Sequence, residues 1–143
     1  MSVTIPRKIL VAIDGSESSL KAVAYAAQLA KLASSKLLIL NVMLLPEFAS
    51  TETVEKVRKD LMTKAGEILD HAKSVANIAK VDLETKTAET DHSVVETIVE
   101  QSEIEKADLI VVGSRGVTMG RLMLGSVAAG TVNLARCPVL VAR

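Results

Sequence analysis

The pattern that most constrains this chain is a repeated change of apolar period. "KILVAI" (8–13) is a short β-branched run, and the "SESSLKAVAYAAQLAKLA" soon after it sets Leu20, Val23, Ala24, Ala27 and Ala30 at helical spacing. "KLLILNVM" repeats the strand signature. From Thr51 to Ala76, Val54, Val57, Leu61, Ala65, Ile68, Ala72 and Val75 fall three or four apart, which predicts an amphipathic helix with a charged, solvated outer face. "KVDLETKTA" differs, because Val81, Leu83, Thr85 and Thr87 alternate with Asp82, Glu84 and Lys86, the mark of a half-exposed edge strand. A short helix around Val94, Val95, Ile98 and Val99 opens at "TDHS", whose small polar residues suit an N-cap. "ADLIVV" reads as a strand buried on both faces, "SVAAGTVNLAR" as a helix, and "CPVLVAR" as a last strand with Pro138 near its start, where a missing amide is tolerated.

Strands alternating with helices, with no repeat, low-complexity tract or linker, predict one α/β domain over residues 1–143, a doubly wound parallel sheet of five strands with helices on both faces. The apolar runs Ile9 to Ile13 and Leu109 to Val112 belong at its centre and the alternating strand at an edge. In such sheets ligands bind beyond the carboxyl ends of the strands, where strand order reverses. The ends of the first and fourth strands are Asp14 and Gly113.

The 17 Lys+Arg balance 17 Asp+Glu, so no global field draws the chain to nucleic acid or an anionic membrane, and any anion must be held locally. Aromatics make up only 1% of residues, which leaves an aliphatic core and no ring platforms for stacking bases. Cys137 is the only cysteine, so an intramolecular disulfide is impossible and a zinc site lacks its usual ligands. The most apolar stretch, "LLILNVMLL", is too short, and too polar at Asn41, to span a bilayer, and the amino terminus has no signal-peptide pattern. A cytoplasmic location is expected.

The loop that follows the fourth strand, Ser114 to Leu124, exceeds the ~2–6 residues usual between strand and helix. Gly113 and Gly116 offer positive φ and close backbone approach to a ligand, and Gly125 clears space before the next helix. Unpaired amides at that helix start, with the Ser126 hydroxyl, suit an anion, and Arg115 and Arg121 add charge. The plainer reading makes Gly113 a turn residue, Ser126 an N-cap and the arginines solvated surface. Neither the Walker lysine nor the dinucleotide spacing of glycines is present.

Asp14 in "AIDGSESS" has two readings, a carboxylate for ribose hydroxyls or a hydrated cation, or a helix cap together with Ser16. His71 and His92 read as surface residues. Met43, Met62, Met119 and Met123 read as packing fillers, and no serine, cysteine or lysine stands in a nucleophile setting.

"KILVAIDGSESSLKAVAYAAQLA", "ADLIVVGSRG", "LMLGSV" and "CPVLVAR", in this order and over essentially the whole chain, resemble the universal stress protein family. The resemblance implies strand order 3-2-1-4-5, a homodimer through the last strand (Pro138 to Arg143) and, in one branch, ATP bound by a Gly-x2-Gly-x9-Gly-Ser/Thr loop. It places phosphates on Gly113, Ser114, Arg115, Gly116, Val117 and Thr118 and on Gly125, Ser126 and Val127. It sets Asp14 near the ribose and Ala12 and Val42 around adenine, with a Val42 backbone group reading the base edge. Magnesium would arrive on the nucleotide, near Asp14. Two features depart from the family pattern. Eight residues, "VTMGRLML", separate Gly116 from Gly125, and the missing one falls between Val117 and Arg121, which opens ADP or AMP as alternative ligands. The glycine usual before the third helix is replaced in "AETDHS".

The expected function is a stress-response protein that binds ATP as a nucleotide-dependent switch or scaffold. Hydrolysis would be slow at most, because the sequence offers no general base and no arginine-plus-lysine clamp. The alternative is a nucleotide-free dimeric interaction module of the same family. A receiver or flavodoxin-like protein is disfavoured: no acidic pair follows the first strand, no lysine ends the last strand, and no ring is placed to sandwich a flavin.

Overall fold

Each change of apolar period becomes a change of element in the computed structural model, which describes residues 5–47, 49–115 and 123–143. The order is β1 (Lys8–Ile13), α1 (Glu17–Ala33), β2 (Lys36–Leu44), α2 (Thr51–Asn77), β3 (Asp82–Thr90), α3 (Val94–Ile104), β4 (Leu109–Gly113), α4 (Ser126–Leu134) and β5 (Val139–Ala142). All pairings are parallel and the sheet runs β3-β2-β1-β4-β5. This is the expected doubly wound α/β domain, with its order reversing at β1 and β4.

β1 is the middle strand, paired on both sides and covered on both faces, so Ile9, Leu10 and Val11 are fully buried. Burying an aliphatic side chain of this size stabilises the fold by about 1.5–3 kcal/mol, which is why a run without polar alternation settles here. One face of the sheet carries α1 and α2 over Ile9, Val11, Leu37 and Ile39. The other carries α3 and α4 over Leu10, Leu38, Leu40 and Ile110. β2 and β3 stay paired to Leu44↔Thr90, whereas β1 and β2 part at Ile13↔Asn41.

Three local readings are corrected. The buried stripe of α1 is Ala22, Val23, Ala26, Ala27 and Ala30, with Ala24 exposed and Leu20 only half-buried, because a helix with alanines on every side gives little contrast for locating its inner face. α4 ends at Leu134, and Ala135 is already extended ahead of Pro138. Met43 fills the core, but Met62 and Met123 are exposed; Met119 lies outside the described residues.

β3 is an edge strand as its alternation predicts, yet its polar positions do not simply face water. Glu84 and Lys86 are half-buried. Lys8 Nζ lies 3.0 Å from Glu84 Oε1 and 2.9 Å from Glu105 Oε1, Lys36 reaches Glu84 at 3.5 Å, and Lys86 reaches Glu105 at 3.1 Å. This network ties the starts of β1 and β2 to β3 and to the carboxyl end of α3. The hydrogen bond from Lys8 lowers the Glu84 carboxyl below its usual range against the opposing effect of burial, and hydrogen bonds from Lys8 and Lys86 lower Glu105. Burial alone would depress Lys8, but its bonds to Glu105 and Glu84 outweigh that and raise it.

A carboxyl whose pKa is lower in the folded state contributes stability above its unfolded pKa and loses it as pH falls through the folded value. The thermal midpoint should therefore fall as the solution is acidified below about pH 4.5, and Glu105→Gln should flatten that acid slope. An unchanged slope in Glu105→Gln would show that the network does not stabilise the fold.

Candidate functional site

The ends of β1 and β4, the overhang of β2 and the start of α4 enclose a cavity of about 310 Å3, within the size range of small-ligand pockets. Its floor comes from the α3/α4 side of the sheet, where Ala12 of β1, Leu40 and Val42 of β2 and Val112 of β4 present their side chains. Val94 and Ile98, one turn apart on α3, close the apolar wall. The rim is polar: Asp14, Ser19, Arg115 and Ser126.

The turn after β1 is built around the Asp14 side chain. Its Oδ1 accepts the Ser16 amide at 2.9 Å, Gly15 takes φ 84°, and the Ser16 hydroxyl caps α1 by accepting the Ser19 amide at 3.1 Å. Ser16, not Asp14, is the N-cap, so the Asp14 carboxylate remains exposed at the cavity rim. β2 contributes edge-like backbone to the same space. Lys36 N–H donates to Arg7 beside β1 and Leu45 N–H to Thr90 on β3, so by alternation the Val42 N–H closes the ladder on the Ile13 carbonyl and the Val42 carbonyl and the backbone groups of Leu44 point to the side that β1 has left.

At the other side of the cavity, the Ser114 amide bonds to Ala142 at 2.9 Å and its carbonyl accepts the Gly125 amide at 2.7 Å, drawing the two ends of the long loop together. Gly125 is the N-cap of α4 and Ser126 its first residue, which corrects the N-cap reading of Ser126. With glycine as the cap, no side-chain oxygen takes up the first amides of α4. Those amides and the Ser126 hydroxyl border the cavity with Val127.

Of the residues singled out by the sequence, Ala12, Asp14 and Val42 meet Gly113 and Arg115, and Gly125, Ser126 and Val127, around one space. Ser114 is buried and ties the loop ends without lining the cavity. Gly116, Val117, Thr118 and Arg121 lie outside the described residues. The reading of Gly113 is corrected. Among the described glycines positive φ belongs to Gly15, and a Cβ on Gly113 would lie 2.6 Å from Ser18 Oγ and 2.8 Å from the Ser18 backbone. Gly113 is required by the close approach of α1.

Ser19, Leu40, Val94, Ile98 and Val112 were not singled out. Leu40 stands two residues before Val42 and so on the same face of β2, and Val94 and Ile98 share a helix face, but nothing in those patterns separates a cavity wall from core. His92 lies elsewhere, exposed, its ring raised above the usual imidazole range by a hydrogen bond to Asp91 that outweighs the opposing effect of desolvation, with Glu96 adding to the rise. No cluster of three His, Cys, Asp or Glu suited to a metal occurs among the described residues. An aliphatic slot, an exposed carboxylate, and helix amides beside Arg115 border one space, a set of groups chemically compatible with a nucleotide.

The chain belongs to the universal stress protein family, whose profile matches residues 6–143. Universal stress protein YxiE of Bacillus subtilis is 34% identical over 151 aligned residues, covering 95% of this chain and 98% of that protein. The crystal structure of a universal stress protein in complex with cAMP matches with a TM-score of 0.77 at 30% identity, covering 98% of both chains. A universal stress protein family protein from Arabidopsis thaliana with AMP bound matches with a TM-score of 0.71 at 25% identity, covering 96% of this chain and 91% of that one.

Gly113→Ala should lower stability by about 1–3 kcal/mol in denaturant unfolding, the range for overpacking, since the new methyl would meet Ser18 backbone, which cannot rotate away. A loss under about 0.5 kcal/mol would mean that α1 and β4 separate freely at this point.

Proposed function

We propose that this protein binds an adenine nucleotide in the cavity at the ends of β1 and β4. The observation that supports it is the convergence on one space of an aliphatic slot, the exposed Asp14 carboxylate and the amino end of α4, whose amides no side chain caps; two similar proteins, one with cAMP and one with AMP, carry an adenine nucleotide. In this reading the base lies against Ala12 and Val42, with a Val42 backbone group at its edge, and Asp14 meets the ribose. The phosphates follow Gly113, Arg115, Gly116, Val117 and Thr118 and end on Gly125, Ser126 and Val127, while Ser114 closes the loop behind them. ATP is the proposed ligand, with magnesium carried on its phosphates; the eight-residue interval between Gly116 and Gly125 makes ADP and AMP the competing ones. The protein acts as a cytoplasmic switch or scaffold whose surface responds to the bound nucleotide, with hydrolysis slow at most.

We further propose a homodimer through β5. The strand is a sheet edge, Val139, Leu140 and Val141 are only half-buried, and no charge interrupts it. Its unpaired backbone groups are satisfied by two-fold pairing with a second copy. The helices of the described residues include none long and apolar enough to cross a membrane.

Titration calorimetry with AMP, ADP, ATP and ATP with magnesium should show saturable binding, and Asp14→Ala should weaken it while costing at most about 1–2 kcal/mol of stability, the scale of a lost cap. No heat from any of the four at millimolar concentration would leave the nucleotide-free dimeric module as the reading.

In light scattering the unaltered chain should be a dimer, and Leu140→Lys or Val141→Pro should yield monomer or aggregate. A monomer at micromolar concentration, or dimers in both variants, would remove β5 as the interface.

A further inference from the structure

Asn41 is the one polar residue between Leu37 and Leu44, and it is buried, with 5% of its surface exposed. A polar side chain inside an aliphatic layer costs free energy unless it is hydrogen-bonded, and here its bond has a specific target. Asn41 Nδ2 donates to the Ile13 carbonyl at 3.0 Å. Ile13 and Asn41 are register partners, the last pair before β1 and β2 part. Both sit on the α1/α2 side of the sheet, and Asn41 does not line the cavity.

The Ile13 carbonyl and the Asp14 amide belong to one planar peptide unit. Its oxygen takes the last ladder bond from the Val42 amide and a second bond, from the Asn41 side chain, that fixes its direction, and its N–H faces Ser19 Oγ of α1 at 3.4 Å. The plane is thus gripped at both ends by two different elements. Rotation of that plane is what would swing the Asp14 side chain, because the next residue, Gly15 at φ 84°, begins the turn and offers little resistance. We infer that Asn41 is a positioning residue for the ligand, fixing the Ile13–Asp14 peptide from behind the sheet so that the Asp14 carboxylate is aimed into the cavity. The inference rests on the nucleotide reading above and adds a residue that never touches the ligand.

The test compares affinities for AMP and for 2′,3′-dideoxy-AMP, which lacks the ribose hydroxyls, in the unaltered protein, Asp14→Ala and Asn41→Leu. Hydrogen bonds to a charged group make the unaltered protein prefer AMP by about tenfold. Asn41→Leu should reduce that preference to about the level of Asp14→Ala while its affinity for the dideoxy nucleotide stays within about threefold, a split that general loss of stability does not produce. If the leucine variant does not fold, Asn41→Ala is measured in the same way. A preference retained in the Asn41 variant overturns the inference. Equal binding of both nucleotides by the unaltered protein overturns it through Asp14, and binding of neither overturns the nucleotide reading on which it rests.

Discussion

At Gly113 there is no room for a methyl group between β4 and the first turn of α1. That contact seats the amino end of α1 against the end of β4 and so sets how β1, the Asp14 turn and the long loop stand relative to one another. The Arg115 amide bonds to Ser18 Oγ at 3.3 Å, which starts the loop from the same fixed point. Gly125 returns the chain to Ser114, and α4 begins where that bond leaves it. The cavity is the space these constraints leave open over Ala12 and Val112, so packing between a helix and a strand determines where a ligand could meet helix amides.

Much of the fold was legible because burial and period are directly coupled. A strand covered on both faces tolerates only apolar residues, and Ile9 to Ile13 and Leu109 to Val112 are such runs; an edge strand tolerates alternation, and Asp82 to Thr90 shows it. The inner face of α1 was less legible since its alanines carry little hydrophobic contrast. The half-burial of Glu84 and Lys86 was not legible at all, because it depends on Lys8 and Glu105, residues distant in sequence that only the finished sheet brings together.

The location of the candidate site followed from topology: once β1 and β4 are neighbours on either side of the order reversal, Asp14 and Gly113 must stand together. The roles were harder to read. Gly113 signals a close approach, but a glycine in sequence does not say what approaches, and here it is Ser18. Val94, Ile98 and Leu40 look like any other core positions. Asn41 stood out only as a polar interruption of an apolar stretch, and its meaning depends on the Ile13 carbonyl across the register.

β2 continues beside β3 from Asn41 to Leu44 after β1 has turned away. With a strand rise of about 3.3 Å per residue, the step is about 10 Å high. One wall of the cavity is therefore an interrupted hydrogen-bond ladder, a place in the sheet where a strand is missing. A flat molecule with a donor and an acceptor along one side can stand in for that strand, and molecules without such an edge leave the Val42 carbonyl and Leu44 to water. In the proposed nucleotide reading, selectivity for a planar heterocycle would be set by the difference in length between two neighbouring strands, before any side chain is chosen.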